Sequence, residues 1–224
     1  MISTSHLLYA VFLMPAVSTE GLILKRINFG EADRVVTVLT DRYGKISTIA
    51  RGVRKITSRR AGNIEVLNRV KLHLFKSRSY TLTEAESIDT YQKIKGSLTL
   101  STYAFHIMEL IDRLVPEEQK NPNIYSLVLE TLEFLKKSPR QIFIRRFEVK
   151  LLSYLGFWSI DAFKDLGVLT REILEKLQYA PWQEIGDLTI QEEEAIDLER
   201  VLRYYIERIL EGKLKSAQVL RRLR

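Results

Sequence analysis

The chain has 224 residues, 46% of them hydrophobic and 28% charged, enough to bury the core of one large or two small domains. It has no cysteine, which excludes disulfides, thiolate metal sites and cysteine catalysis and fits a reducing cytoplasm, and no run approaches the roughly 20 apolar residues that span a bilayer. The net charge of +7 points to a polyanionic partner, either nucleic acid or an acidic membrane surface.

Residues 1–17 contain no Lys, Arg, Asp or Glu, and Leu7 to Val17 is mostly apolar. The basic n-region of a signal peptide is missing, so the stretch reads as a leader from an upstream start, with Met14 a candidate initiator. From residue 18 to about 92 the text breaks into short alternating segments separated by turn residues, the pattern of a small all-β barrel. Leu22 to Ile27 and Val35 to Leu39 flank the hairpin signal Asn28-Phe29-Gly30, and Asp41-Arg42-Tyr43-Gly44 turns the chain into Lys45 to Ala50. A fourth strand is expected over Val70 to Lys76, with Val70, Leu72 and Leu74 on one face, and a fifth over Tyr80 to Ala85. Five strands in this length suit an OB-fold, and an SH3-like barrel has nearly the same count.

After Gly96 the period becomes helical, so residues 93–224 are expected to form a separate helical domain. Leu100, Ile107, Ile111 and Leu114 form one apolar stripe, which Pro116 closes. Asn121-Pro122 opens a helix to about Lys137. Ser138-Pro139-Arg140-Gln141 reads as a capping box with an N1 proline, leading a helix through Phe147 and Leu151 to Gly156. A weakly patterned stretch from Phe157 to Asp187 holds a helix near Thr170 to Leu177 and a loop at Ala180-Pro181. Thr189 with Glu192 reads as a second capping box, opening a helix that runs to Gly212, and a short last helix is expected after Ser216.

Catalytic motifs are missing. No G-x-x-x-x-G-K-[ST] or G-x-G-x-x-G occurs, so no phosphate cradle is available for ATP hydrolysis. His6, His73 and His106 have no i,i+4 partner or acidic pair that would hold a metal, and acidic residues are sparse in the β region, which leaves no home for a two-metal nuclease site. The chain reads as a protein without an enzymatic activity, a cofactor or a metal.

The charge, by contrast, is concentrated. Residues 18–95 hold sixteen lysines and arginines against eight aspartates and glutamates, whereas residues 96–224 hold nineteen against twenty. The segment Arg51-Gly52-Val53-Arg54-Lys55-Ile56-Thr57-Ser58-Arg59-Arg60 places five basic residues and two hydroxyls in ten positions after the third strand. Arginine forks and hydroxyls bind phosphate oxygens without regard to base, so the natural ligand is a nucleic-acid backbone. Arg26, Arg34, Lys76 and Arg78, at strand ends, are positioned to extend the track, and Phe29, Tyr43, Phe75 and Tyr80 offer either stacking surfaces or core packing. In the helical part, Ile144-Arg145-Arg146-Phe147-Glu148 sets two arginines beside an apolar stripe. They suit either an acidic peptide with an apolar end or ion pairs with Glu148 and its neighbours.

At these residues the chain resembles the RecO family from about Thr19 onward. Gly21-Leu22-Ile23-Leu24 followed by Phe29-Gly30-Glu31-Ala32-Asp33-Arg34-Val35-Val36 is similar to that family's opening strand, turn and second strand. Asp41-Arg42-Tyr43-Gly44-Lys45, Ala50-Arg51-Gly52-Val53-Arg54, Ser58-Arg59 and Thr81-Leu82-Thr83-Glu84-Ala85-Glu86 follow in family order. Arg145-Arg146-Phe147-Glu148 with Leu151-Leu152 and Leu155-Gly156-Phe157, then Lys213-Leu214-Lys215-Ser216, resemble its helical signatures.

The resemblance implies an N-terminal OB-fold, a helical C-terminal domain and a cytoplasmic, nucleoid-associated protein of DNA repair and recombination. It further implies binding of single- and double-stranded DNA, annealing of complementary strands and, with RecR, loading of RecA onto DNA coated by single-strand binding protein (SSB). Carried over by position, Arg51 to Arg60 become DNA contacts, and Arg145 and Arg146 a dock for the acidic SSB tail. Many members have a four-cysteine zinc module after the "LG" helix, whereas residues 157–187 hold neither Cys nor His, so zinc is not expected. The barrel and its charge would also serve an RNA-binding protein of translation or ribosome assembly.

Overall fold

Five strands follow one another from Ala16 to Asp89 in the computed structural model, which describes residues 16–163 and 166–216. They are β1 (Ala16–Phe29), β2 (Asp33–Thr40), β3 (Gly44–Ala50), β4 (Arg69–Lys76) and β5 (Tyr80–Asp89). They close into a barrel in the order β1-β2-β3-β5-β4, antiparallel except for the short β3–β5 seam that pairs Thr48 with Tyr80 and Ile49 with Thr81. That closed order is the OB-fold, and it decides between the two barrels that strand number left open. Each expected strand is present and extended at one or both ends. β1 takes in Ala16 and Val17, while residues 1–15 of the expected leader, Met14 included, lie outside the described residues.

The barrel core follows from alternation. Val70, Leu72 and Leu74 of β4 are buried and pack with Ile23, Val36, Val38, Ile46 and Leu82 from the other strands. Gly21 to Leu24 are all buried, where strict alternation would expose every second residue, and the register shift between Ile23 and Lys25 marks the bulge that re-aims β1. Gly44 shows why its position takes no side chain. Its φ is +70°, and a Cβ there would stand 2.1 Å from the Gln119 carbonyl oxygen. Residues 116–122 belong to the barrel unit, with the Glu118 N–H donating to the Lys45 carbonyl at 2.8 Å.

The second unit comprises residues 92–115 and 123–216 among those described. It contains α1 (Gln92–Lys95), α2 (Leu98–Leu114), α3 (Pro122–Lys137, whose first residue belongs to the barrel unit), α4 (Gln141–Tyr154), a 3-10 turn (Ile160–Phe163), α5 (Val168–Tyr179), α6 (Trp182–Asp187) and α7 (Glu192–Ile209). α4 is central, packing against α2, α5, α6 and α7. Nearly its whole circumference is therefore covered: ten of its 14 residues are buried, Arg145, Arg146 and Glu148 among them.

Several expected features are corrected. α4 begins at Gln141 with Arg140 as N-cap, not with a Ser138 box, because the Ser138 N–H is used to close α3 on Phe134. The capping box of α7 is Gln191 with Glu194, two residues beyond Thr189 and Glu192. Ala180-Pro181 is the expected loop, a two-residue junction between α5 and α6, and α6 itself was not expected. Lys215 and Ser216 are helical, and residues 217–224, where the last helix was expected, lie outside the described residues.

Candidate nucleic-acid interface

Register determines which loops share an end of the barrel. Phe29 pairs with Asp33, Arg34 with Ala50, Thr48 with Tyr80 and Lys76 with Tyr80. The β1–β2 tip, the loop leaving β3 and the β4–β5 turn therefore gather at one end. Arg34, Arg51, Arg54, Lys55, Arg59, Arg60, Lys76 and Arg78 stand on or beside these three segments, whereas Arg26 pairs with Val36 farther along the wall.

The loop after β3 is anchored at several points. Val53 and Ile64 are fully buried in the barrel core. The Gly52 N–H donates to Asp33 Oδ1 at 2.7 Å and the Arg54 N–H to the Ala32 carbonyl at 2.9 Å, while the Arg54 guanidinium donates to the Gly30 carbonyl at 3.1 Å. These bonds join the loop to the β1–β2 tip. At its other side Arg60 donates to the carbonyls of Leu82 and Thr83, both at 3.0 Å, and of Arg51 at 2.7 Å. Asn63 adds a bond to the Ala85 carbonyl at 2.7 Å. A run of like charges is thus held in one shape against its own repulsion.

The sequence-predicted cations fall into groups. Arg51, Arg54, Lys55, Arg59 and Arg78 are exposed, and among the described residues neither they nor Arg34 and Arg60 form an ion pair. Arg34 donates to the side-chain oxygen of Asn28 at 3.3 Å. Arg26 is paired with Glu65, and Lys76 with Glu118 at 3.2 Å, so both are partly neutralised. Lys76 also donates to the Tyr80 hydroxyl at 2.9 Å; that bond, reinforced by Glu118, holds the ammonium above its ordinary value. Acidic side chains intrude at Glu31, Glu84 and Glu86, which are exposed on the tip and on β5. Of the four candidate rings, Tyr80 is buried against Tyr43 at 6.1 Å between centroids, Phe75 is half-buried and Phe29 is 55% exposed.

In the helical unit the two adjacent arginines do not share a pocket. Arg145 pairs with Glu148 at 2.8 Å and lines a cavity of about 280 Å³ with Arg140, Ile190 and Leu198. Arg146 faces a second cavity of about 350 Å³, lined also by Glu130, Lys150, Tyr154 and Trp182. Its guanidinium lies 4.6 Å from the Trp182 ring centroid and donates to the Leu177 carbonyl at 2.9 Å. Burial lowers the Arg146 guanidinium from its ordinary value, and burial together with neighbouring Arg146 does the same to Lys150. Lys150 was not a sequence-level candidate. Its spacing of four from Arg146 was the available signal, since i,i+4 residues share a helix face.

Among the described residues no helix is long and apolar enough to cross a membrane. Comparison with known proteins matches residues 14–91 to the family model of the recombination protein O N terminal and residues 96–158 to that of its C terminal. The DNA repair protein RecO of Acetivibrio thermocellus is 34% identical over 148 residues, 64% of this chain and 59% of that protein. The protein of the same name from Symbiobacterium thermophilum is 34% identical over 147 residues, 64% of this chain and 58% of the relative. That from Roseiflexus sp. (strain RS-1) is 37% identical over 141 residues, 62% and 50% respectively. The matched stretch thus spans between half and three-fifths of these relatives' lengths.

Proposed function

The chain belongs to the RecO family, and from that premise we propose that it is a non-enzymatic mediator of DNA repair and recombination, which binds DNA through the basic end of its barrel. The observation that carries the reading is the anchored loop from Arg51 to Arg60, whose exposed cations have no acidic partner among the described residues. Its donors suit phosphate oxygens of single- or double-stranded DNA, independent of sequence. We extend the same assignment to Arg34 and Arg78 at the barrel end, with Arg26 and Lys76 as weaker contacts because Glu65 and Glu118 compete for them.

Strand annealing requires no covalent step. Repulsion between two polyanions is the obstacle, and cations that neutralise phosphate lower it while leaving base edges free to pair. The helical unit then holds protein partners. An acidic SSB tail with an apolar end would set its carboxylates on Arg146 and Lys150 and its apolar end against Trp182 and Tyr154, with Arg145 in the neighbouring cavity. RecR and RecA complete the proposed pathway, in which SSB-coated DNA is cleared for RecA in the cytoplasm.

The test is annealing of complementary strands with and without SSB. The protein is expected to accelerate both reactions, and SSB lacking its acidic tail is expected to abolish the advantage on coated strands only. Failure to accelerate naked strands would sink the DNA reading. Faster pairing of RNA than DNA of the same sequence would favour an RNA role.

A further inference from the structure

The basic loop carries one side chain that neither phosphate neutralisation nor barrel packing uses. Ile56 is fully exposed, among exposed Arg54, Lys55, Thr57 and Arg59. Single exposed apolar residues are ordinary on protein surfaces, so exposure alone decides nothing. What sets Ile56 apart is its support. The Ser58 N–H donates to the Lys55 carbonyl at 2.9 Å, closing a four-residue turn that puts Ile56 at its second position. Beneath the turn, the Lys55 N–H donates to the Gly52 carbonyl at 3.2 Å and buried Val53 roots the segment in the barrel. Arg60 then fastens the returning strand of the loop to three carbonyls. A β-branched side chain, stiff at χ1, is therefore presented outward from a braced turn and ringed by cations.

Proteins that open a base step combine these two elements, an apolar wedge between bases and cations on the phosphates at either side. We propose that Ile56 enters between two adjacent bases of the bound strand and unstacks them, while Arg54, Lys55 and Arg59 hold the flanking phosphates. This rests on the reading that the loop binds nucleic acid and adds what the loop does to it. An unstacked step presents its Watson–Crick edges to an incoming complement. The wedge would thereby assist pairing as well as neutralisation.

The probe is a single-stranded DNA carrying 2-aminopurine between two adenines, whose emission is quenched by stacking, with anisotropy of a second, terminal dye read on the same sample. The wild type is expected to raise emission severalfold at saturation. Ile56→Ala is expected to reach the same anisotropy with that rise lost. Ile56→Lys adds a cation and is expected to bind at least as tightly as the wild type, again with the rise lost, and Ile56→Leu to retain it. A full emission rise with Ile56→Lys, or no rise with saturated wild type, overturns the wedge and leaves DNA binding intact. If the wild type shows no anisotropy change on DNA but binds anionic vesicles through Ile56, the DNA reading and the wedge both fail, and the anisotropy channel tells this apart from failure of the wedge alone.

Discussion

Arg59 and Arg60 are neighbours in one basic run, yet their surroundings give them different work. Arg60 is spent on three backbone carbonyls, whereas Arg59 is exposed. Arg60→Ala is expected to lower stability by about 1–3 kcal/mol, measured by urea denaturation, with Arg60→Lys a poor rescue because an ammonium lacks the guanidinium's fork. Arg59→Glu is expected to leave the denaturation midpoint unchanged and to weaken strand binding; an unchanged affinity would remove Arg59 from the interface. Arg145 provides the contrast in the helical unit. Arg145→Ala leaves buried Glu148 with only His106, 2.7 Å away, as its partner, and a loss of about 1–3 kcal/mol is expected in the same assay. The basic run was legible in the sequence. That Arg60 is structural was not, because its acceptors at Leu82 and Thr83 are brought close only by the β3–β5 seam.

At the scale of elements, period-two alternation located all five strands, since one face of each is buried in the barrel. The bulge in β1 was hidden because Gly21 to Leu24 reads as a plain apolar run. Helix starts were misplaced where a nearby residue offered an equally good cap, as Thr189 did beside Gln191, and α6 is too short for its period to show. Two tests belong here. Gly44→Ala must accommodate both the positive φ and the Gln119 carbonyl, and a loss of about 1–3 kcal/mol is expected from thermal melts; a neutral substitution would contradict the close approach.

The second test concerns the segment around Ser216. Burial alone would raise the Glu109 carboxyl, but the Ser216 hydroxyl and the N–H groups of Ser216 and Lys215 donate to it and hold it below the ordinary value. A folded-state value below the unfolded one stabilises above the unfolded value and is lost as pH falls through the folded one. Acidification is therefore expected to release this segment from α2, seen as amide shifts of Lys215 and Ser216 by NMR. In Glu109→Gln those amides are expected to lose that acid titration.

For the molecule as a whole, the division of charge is the feature that composition revealed and the barrel concentrates. Fourteen of the sixteen basic residues before residue 96 lie in the barrel unit, and register brings most of its unpaired cations to one end. What the sequence could not reveal was which cations are neutralised in place, since Glu65 and Glu118 reach Arg26 and Lys76 only in the folded barrel. Charge reversal at Arg54, Lys55 and Arg59 together is expected to slow annealing to a similar degree on oligonucleotides of unrelated sequence, because phosphate contacts do not read bases.

The most direct measurement is the affinity for plain single-stranded DNA across a salt series, wild type against that triple variant. Each phosphate contact contributes roughly 0.7 to the slope of log affinity against log salt, so removing three should flatten the line by about 2. Two parallel lines, or a wild type indifferent to salt, would contradict the account.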